Sequence, residues 1–119
     1  MEFEDVVRKR KMIRKYLSNK IPDRIISKLI KNISRAPSSG HTQVQKFIII
    51  RDPIIKKKLR QASVNQKFIE DARLLIVVCS NTSRSVGRYG QGGGDFYSII
   101  DGAFASILIL LTAVYGHRF

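Results

Sequence analysis

Two stretches of the sequence carry side chains able to do chemistry. The first is Arg8-Lys9-Arg10-Lys11 with Arg14-Lys15. On a helix Arg10 and Arg14 stand four apart and share a face, where two guanidiniums can fork onto phosphate oxygens. Lys11, three before Arg14, falls on the adjoining face. A solvated basic face has the same pattern, so the residues alone leave both readings open. The second stretch is Ala36-Pro37-Ser38-Ser39-Gly40-His41-Thr42-Gln43. It offers backbone amides, two serine hydroxyls, an imidazole and a side-chain amide. Loops at strand ends often hold ligands, and they also serve as plain connections.

Other familiar chemistry is missing. The sequence has no Ser/His/Asp arrangement, no paired-carboxylate motif and no metal-ligand spacing. Gly92-Gly93-Gly94 is not followed by the Gly-Lys-Ser/Thr of a phosphate loop, so a flexible loop is the better reading. Cys79 sits in an apolar run and reads as an inert core residue. Nothing gives His117 a role. With one cysteine and two histidines, neither a disulfide framework nor a zinc site is expected.

The chain has 119 residues, enough for one domain (1–119) able to bury a core, and its 44% apolar content is ordinary for a globular fold. The formal charge is +13. Nearly all of the excess falls in the first half: 17 Lys/Arg against 5 Asp/Glu in residues 1–60, and 5 against 4 thereafter. Such a charge fits a phosphate-bearing ligand, a polyanion or an acidic surface. A nucleic-acid module is the weaker alternative, because no aromatic platform interleaves the basic residues and no helix-turn-helix pattern is present. The acidic start, Met1-Glu2-Phe3-Glu4-Asp5, is not built like a signal peptide, and the expected compartment is the cytoplasm.

The elements that must position these groups follow from hydrophobic spacing. Phe3, Val6, Val7, Ile13, Tyr16 and Leu17 approximate a stripe that predicts a helix over 3–17. Ile25, Ile26, Leu29, Ile30 and Ile33 predict a second helix over 22–34, with Pro22 in its first turn. Residues 36–45 form a loop. The runs at 46–51 and 74–80 read as strands buried on both faces. Between them Asp52-Pro53 starts a helix to about residue 63, and a shorter helical piece covers 66–71. Residues 81–95, with five glycines, read as a long loop. Residues 96–115 form a final helix, apolar on most faces. Its length could span a bilayer, but Asp101, Gly102, Ser98 and Ser106 dilute it, and a core or subunit-interface helix is the simpler reading. Two central-type strands with nothing after the helix make an incomplete sheet.

In this order and spacing the segments resemble the FMN-dependent nitroreductase family over nearly the whole chain. The family's first helix ends in a pattern like Arg-Arg-Ser-x-Arg-x-Phe, matched here by Arg10-Lys11-Met12-Ile13-Arg14-Lys15-Tyr16. Its Ala-Pro-Ser loop leads into a Phe-Ile-Ile-Ile strand, as at 36–50, and the Ala-Pro-Ser-x-x-His-Thr form is similar to the iodotyrosine deiodinase and flavin destructase branch. The resemblance implies an α+β fold (an α/β sandwich), with a central sheet flanked by helices and incomplete in this chain.

It also implies a function. Family members bind FMN between two subunits, reduce it with NADH or NADPH, and pass the electrons to a nitro compound, quinone or similar acceptor. The flavin carries the chemistry, so no catalytic side chain is expected. By the match, Arg10, Lys11 and Arg14 would hold the phosphate and ribityl chain, and Met12 falls where many members have Ser. Pro37, Ser38 and Ser39 would lie along the flavin, with His41 where many have Asn. A homodimer through the 96–115 helix is implied, and no membrane. Gln43-Val44-Gln45 replaces the usual Gln-Pro-Trp. Members normally run well past the long helix, so a truncated, non-catalytic remnant is the alternative expectation.

Overall fold

The computed structural model of the chain describes residues 2–117, the His117 side chain excepted. Seven regular elements and one 3-10 turn follow one another: α1 (Phe3–Lys9), α2 (Asp23–Ile33), the turn Ser39–His41, β1 (Gln45–Ile50), α3 (Pro53–Ala62), α4 (Lys67–Asp71), β2 (Leu75–Ser80) and α5 (Thr82–His117).

The helix starts are local chemistry. Pro22 caps α2 with its fixed φ, and Asp52 caps α3 by accepting from the Ile54 N–H at 2.8 Å. β1 and β2 pair antiparallel, Gln45 opposite Ser80 and Ile50 opposite Leu75. The spine is α5, against which α1, α2, the 3-10 turn and both strands pack. Val6, Ile26, Ile33, Val44 and Ala105 are buried around it. The connection between the strands closes on itself: Lys56 Nζ donates to the Ala72 carbonyl at 2.8 Å, and Arg60 pairs with Glu70 at 2.9 Å.

Three expectations are corrected. The first helix does not reach residue 17. It ends at Lys9, and Arg10 turns to extended backbone (φ −61°, ψ 125°). Helices in proteins are held mainly by tertiary packing, and here the far half of the stripe finds little among the described residues: Leu17 is 81% exposed and Tyr16 45%. A continued helix would also stack Arg10 on Arg14 and Lys11 on Lys15, like charges four apart.

The strands are not buried on both faces. Along β1 Lys46 and Ile48 are exposed between half-buried neighbours, and β2 is half-buried throughout. A two-stranded sheet with α5 packed against it covers one face only.

Residues 81–95 are not a loop. The chain is helical from Thr82 to His117, broken at Gly90, whose backbone (φ 76°, ψ 175°) turns one helical segment into the next. Glycine costs a helix about 1 kcal/mol relative to alanine. Packing offsets it here, because Gly94 lies against Val86 so closely that a Cβ would stand 2.5 Å from the Val86 Cα. Gly94 permits a close crossing of the two segments.

Candidate functional site

The Ala-Pro-Ser loop is densely hydrogen-bonded. Ser39 donates twice to Asp101 Oδ1, from its backbone N–H at 2.9 Å and its hydroxyl at 3.0 Å. Gln45 Nε2 donates to the Pro37 carbonyl at 2.8 Å and to the Asp101 carbonyl at 3.0 Å, so it ties the loop to α5 a second time. Within the loop the Gln43 N–H donates to Ser38 Oγ at 2.9 Å, and Thr42 Oγ1 donates to the Ser39 carbonyl at 2.9 Å. Gly40, His41 and Gln43 all have left-handed backbone (φ 61°, 55° and 50°). For His41 and Gln43 that conformation is uncommon, and the surrounding bonds sustain it.

The first segment of α5 leans on the same loop. Arg84 Nη1 donates to the Gln43 carbonyl at 3.2 Å. Arg88 and Tyr89 lie over Gly40, where a Cβ would collide with the Tyr89 hydroxyl and the Arg88 side chain. Tyr89 stacks against Tyr97 across the kink, ring centroids 4.5 Å apart.

Asp101 is fully buried, and its Oδ2 has no hydrogen-bond partner among the described residues. A buried carboxylate with an unpaired oxygen is costly. In the sequence Asp101 counts only as an argument against a membrane span. The signal for more was there: an acid inside an otherwise apolar helix stays buried only when paired.

The predicted site residues fall into two groups. Pro37, Ser38, Ser39 and His41 form one turn, with Pro37 and His41 exposed and the two serines half-buried. Arg10, Lys11, Met12 and Arg14 lie in the irregular segment after α1; Arg10 is half-buried and the other three are exposed. Arg10 and Arg14 therefore do not share a helix face. The Arg14 guanidinium stands 5.9 Å over the Phe68 ring of α4. No hydrogen bond or ion pair joins the two groups among the described residues. Cys79 is half-buried in β2. The glycine run at 92–94 is helical, so it is neither a phosphate loop nor a flexible one.

One open hollow of about 420 Å³ lies between β2 and α5, lined among others by Val78, Ser80, Asp95 and Ile99. None of the candidate residues lines it. Thr82–Gly116 is long and apolar enough to cross a membrane by length and composition. It also carries the buried Ser98 and Asp101.

A family model described as Nitroreductase family matches residues 7–110. The chain belongs to the nitroreductase family. Among curated relatives, a Thermus thermophilus NADH dehydrogenase is 31% identical over 70 residues, 59% of this chain and 34% of its own length. An iodotyrosine deiodinase of Haliscomenobacter hydrossis is 33% identical over 67 residues, 56% of this chain and 30% of its own. A nitroreductase family protein from Clostridium novyi superposes with a TM-score of 0.83 at 28% identity, covering 97% of this chain and 65% of that one. The chain thus spans about a third of the length of these two curated relatives. Its α+β architecture, helices around a small antiparallel sheet, is that of the nitroreductase fold.

Proposed function

We propose that this nitroreductase family chain works as an FMN-dependent oxidoreductase, taking electrons from NAD(P)H and delivering them to a nitro compound, quinone or similar acceptor. The observation that carries the reading is the family match over residues 7–110, which spans both candidate segments. The donor set fits the cofactor. Arg10, Lys11 and Arg14 offer three cations with no acidic partner among the described residues, the chemistry a phosphate needs. The loop at 37–41 offers serine hydroxyls held in a fixed turn, the chemistry a polar ring edge needs.

FMN, when bound, supplies the electron transfer. The residues of this chain supply binding and orientation. Arg10, Lys11 and Arg14 hold the phosphate, with Met12 contributing backbone only. Pro37, Ser38, Ser39 and His41 lie along the ring, and Asp101 and Gln45 keep them in place. Reduction by NAD(P)H draws on the soluble nicotinamide pool, which fits a cytoplasmic setting.

A homodimer through residues 96–115 belongs to the same reading. Phe96, Ile99, Phe104, Ile107 and Leu110 are exposed large apolar residues of this stretch, and such a face is normally covered by a partner.

The experiment is the visible absorbance of the purified chain after addition of FMN and gel filtration. A yellow protein carrying about one flavin per subunit supports the reading. Assays of NAD(P)H oxidation with nitro and quinone acceptors then define the activity. A colourless protein defeats the reading for this chain.

A further inference from the structure

The first segment of α5 brings two arginines onto the turn at 40–43, and the flavin assignment uses neither. Arg84 and Arg88 stand four apart in this helical segment, so they share a face. Both reach the same turn. Arg84 Nη1 donates to the Gln43 carbonyl at 3.2 Å. The Arg88 side chain lies against Gly40, its Cδ 2.7 Å from where a Cβ would stand, so glycine at 40 is what leaves room for it. Both arginines are exposed, and neither pairs with a carboxylate among the described residues. The acid that does touch the loop, Asp101, is buried and bonded to Ser39. Like charges four apart on a helix repel each other. Nothing among the described residues relieves that repulsion, whereas an anion held by both does.

The donors for an anion are in place. A guanidinium carries five N–H groups in a planar fork that matches carboxylate and phosphate oxygens. Arg84 gives one of them to Gln43, and the Arg88 guanidinium stands 5.7 Å over the Tyr89 ring. These contacts steady both stems, so less side-chain freedom is lost when a ligand binds. We propose that Arg84 and Arg88 form an oxyanion-binding pair at the rim of the loop, taking the carboxylate or phosphate group of a small ligand. The pair is made of different residues from the cations assigned to the FMN phosphate, Arg10, Lys11 and Arg14. Only its role in turnover rests on the FMN reading: there it selects substrates that carry such a group, either an acceptor with a carboxylate or a nicotinamide donor with an extra phosphate.

The test uses the full chain without added flavin, in low-salt buffer free of phosphate, with NMR titrations followed at the arginine Nε–H resonances. 4-Nitrobenzoate is compared with its uncharged amide, and 2′-AMP with adenosine. The expected result is that wild type favours the charged member of at least one pair by about tenfold. Arg84→Gln and Arg88→Gln each bring that preference to about threefold or less. Arg88→Lys, which keeps the charge and loses the fork, recovers only part of it. Lys57→Gln, which removes an exposed cation of α3, leaves it unchanged. A preference confined to 4-nitrobenzoate supports the pair and makes the acceptor its source of charge. One confined to 2′-AMP supports it with the nucleotide phosphate as source, and preference in both supports a site that reads the oxyanion itself.

No preference in either pair, no binding of any of the four compounds, or an equal loss in Lys57→Gln overturns the proposal. Circular dichroism checks the fold of each variant, and Arg84→Lys and Arg88→Lys carry the test should the glutamine variants not fold. Retention of FMN is measured separately on the same samples. Wild type that retains no FMN but keeps the preference defeats the FMN reading and upholds the pair. Wild type that retains FMN without the preference does the reverse.

Discussion

Gly94 meets Val86 backbone to backbone, with room for no side chain between them: a Cβ on Gly94 would lie 2.5 Å from the Val86 Cα and 2.6 Å from its nitrogen. Both contacts are main chain, which cannot swing aside as a side-chain tip can. Gly94→Ala must therefore push the two segments of α5 apart, and overpacking of this kind costs about 1–3 kcal/mol. Gly87 lies one residue beyond Val86 on the same segment, and a Cβ there meets nothing within 4 Å. Gly87→Ala should be neutral or stabilise by up to about 1 kcal/mol. Thermal denaturation of the two variants beside wild type checks the contrast. Equal melting temperatures would mean that the crossing is not formed as described.

Gly40 is the corresponding point on the loop. Its φ of 61° and the Tyr89 and Arg88 side chains above it each oppose a Cβ. Gly40→Ala should lower stability by about 1 kcal/mol. It should weaken FMN binding more than it weakens the fold, because the displaced turn carries Ser39 and His41. Melting temperature and flavin affinity, measured together, separate the two losses. A stability loss with unchanged affinity would remove the loop from the site.

How much of this is legible in the sequence depends on whether local chemistry decides the outcome. Asp52-Pro53 is a complete helix start in itself, and α3 begins where it says. The Ile spacing of α2 and the β-rich runs of β1 and β2 also lie within a residue or two of their expected places. The family pattern by itself marks the loop at 37–41. What fails is decided at long range. The stripe at 13–17 is real, but among the described residues it is only partly covered, with Leu17 81% exposed, and it is not helical. The glycines at 92–94 have the composition of a loop, yet they are helical, and Gly94 packs on Val86. Asp101 lies 62 residues from Ser39, and no spacing rule joins positions so far apart.

The cap on α3 offers a local check. Asp52 Oδ1 accepts from the Ile54 N–H at 2.8 Å. Asp52→Ala leaves that amide without its partner and should cost about 1 kcal/mol, a fall of about 4 °C in a domain of this size. Flavin affinity should not change, because α3 carries none of the candidate residues. A fall in affinity would extend the site to the connection between the strands.

The cationic segment should discriminate by phosphate. Arg10→Ala and Arg14→Ala each remove a charge-assisted contact and should weaken FMN binding by over about 1 kcal/mol, roughly fivefold or more. Riboflavin, which lacks the phosphate but keeps the ribityl chain, should lose clearly less affinity than FMN in both variants. Arg14 also stacks on Phe68 at 5.9 Å, so Phe68→Ala should loosen the guanidinium and reproduce part of the Arg14→Ala loss. Equal losses for FMN and riboflavin would assign these residues to the fold rather than to the phosphate.

The outer face of α5 is the remaining site of testable chemistry. Phe96, Ile99, Ile107 and Leu110 are 59%, 75%, 44% and 43% exposed. Their spacing of three, eight and three keeps them near one stripe of the helix. If a second copy covers that stripe, a lysine in it must lose its hydration on both sides of the two-fold at once. Ile107→Lys should then raise the dimer dissociation constant by about 30-fold or more, a loss of roughly 2 kcal/mol. Sedimentation equilibrium across a concentration series measures it directly. Because Ile107 is nearly half exposed, the fold itself should survive the change, and circular dichroism on the same samples checks that. A wild-type chain that is monomeric and well folded at micromolar concentration would leave the stripe uncovered and defeat the dimer.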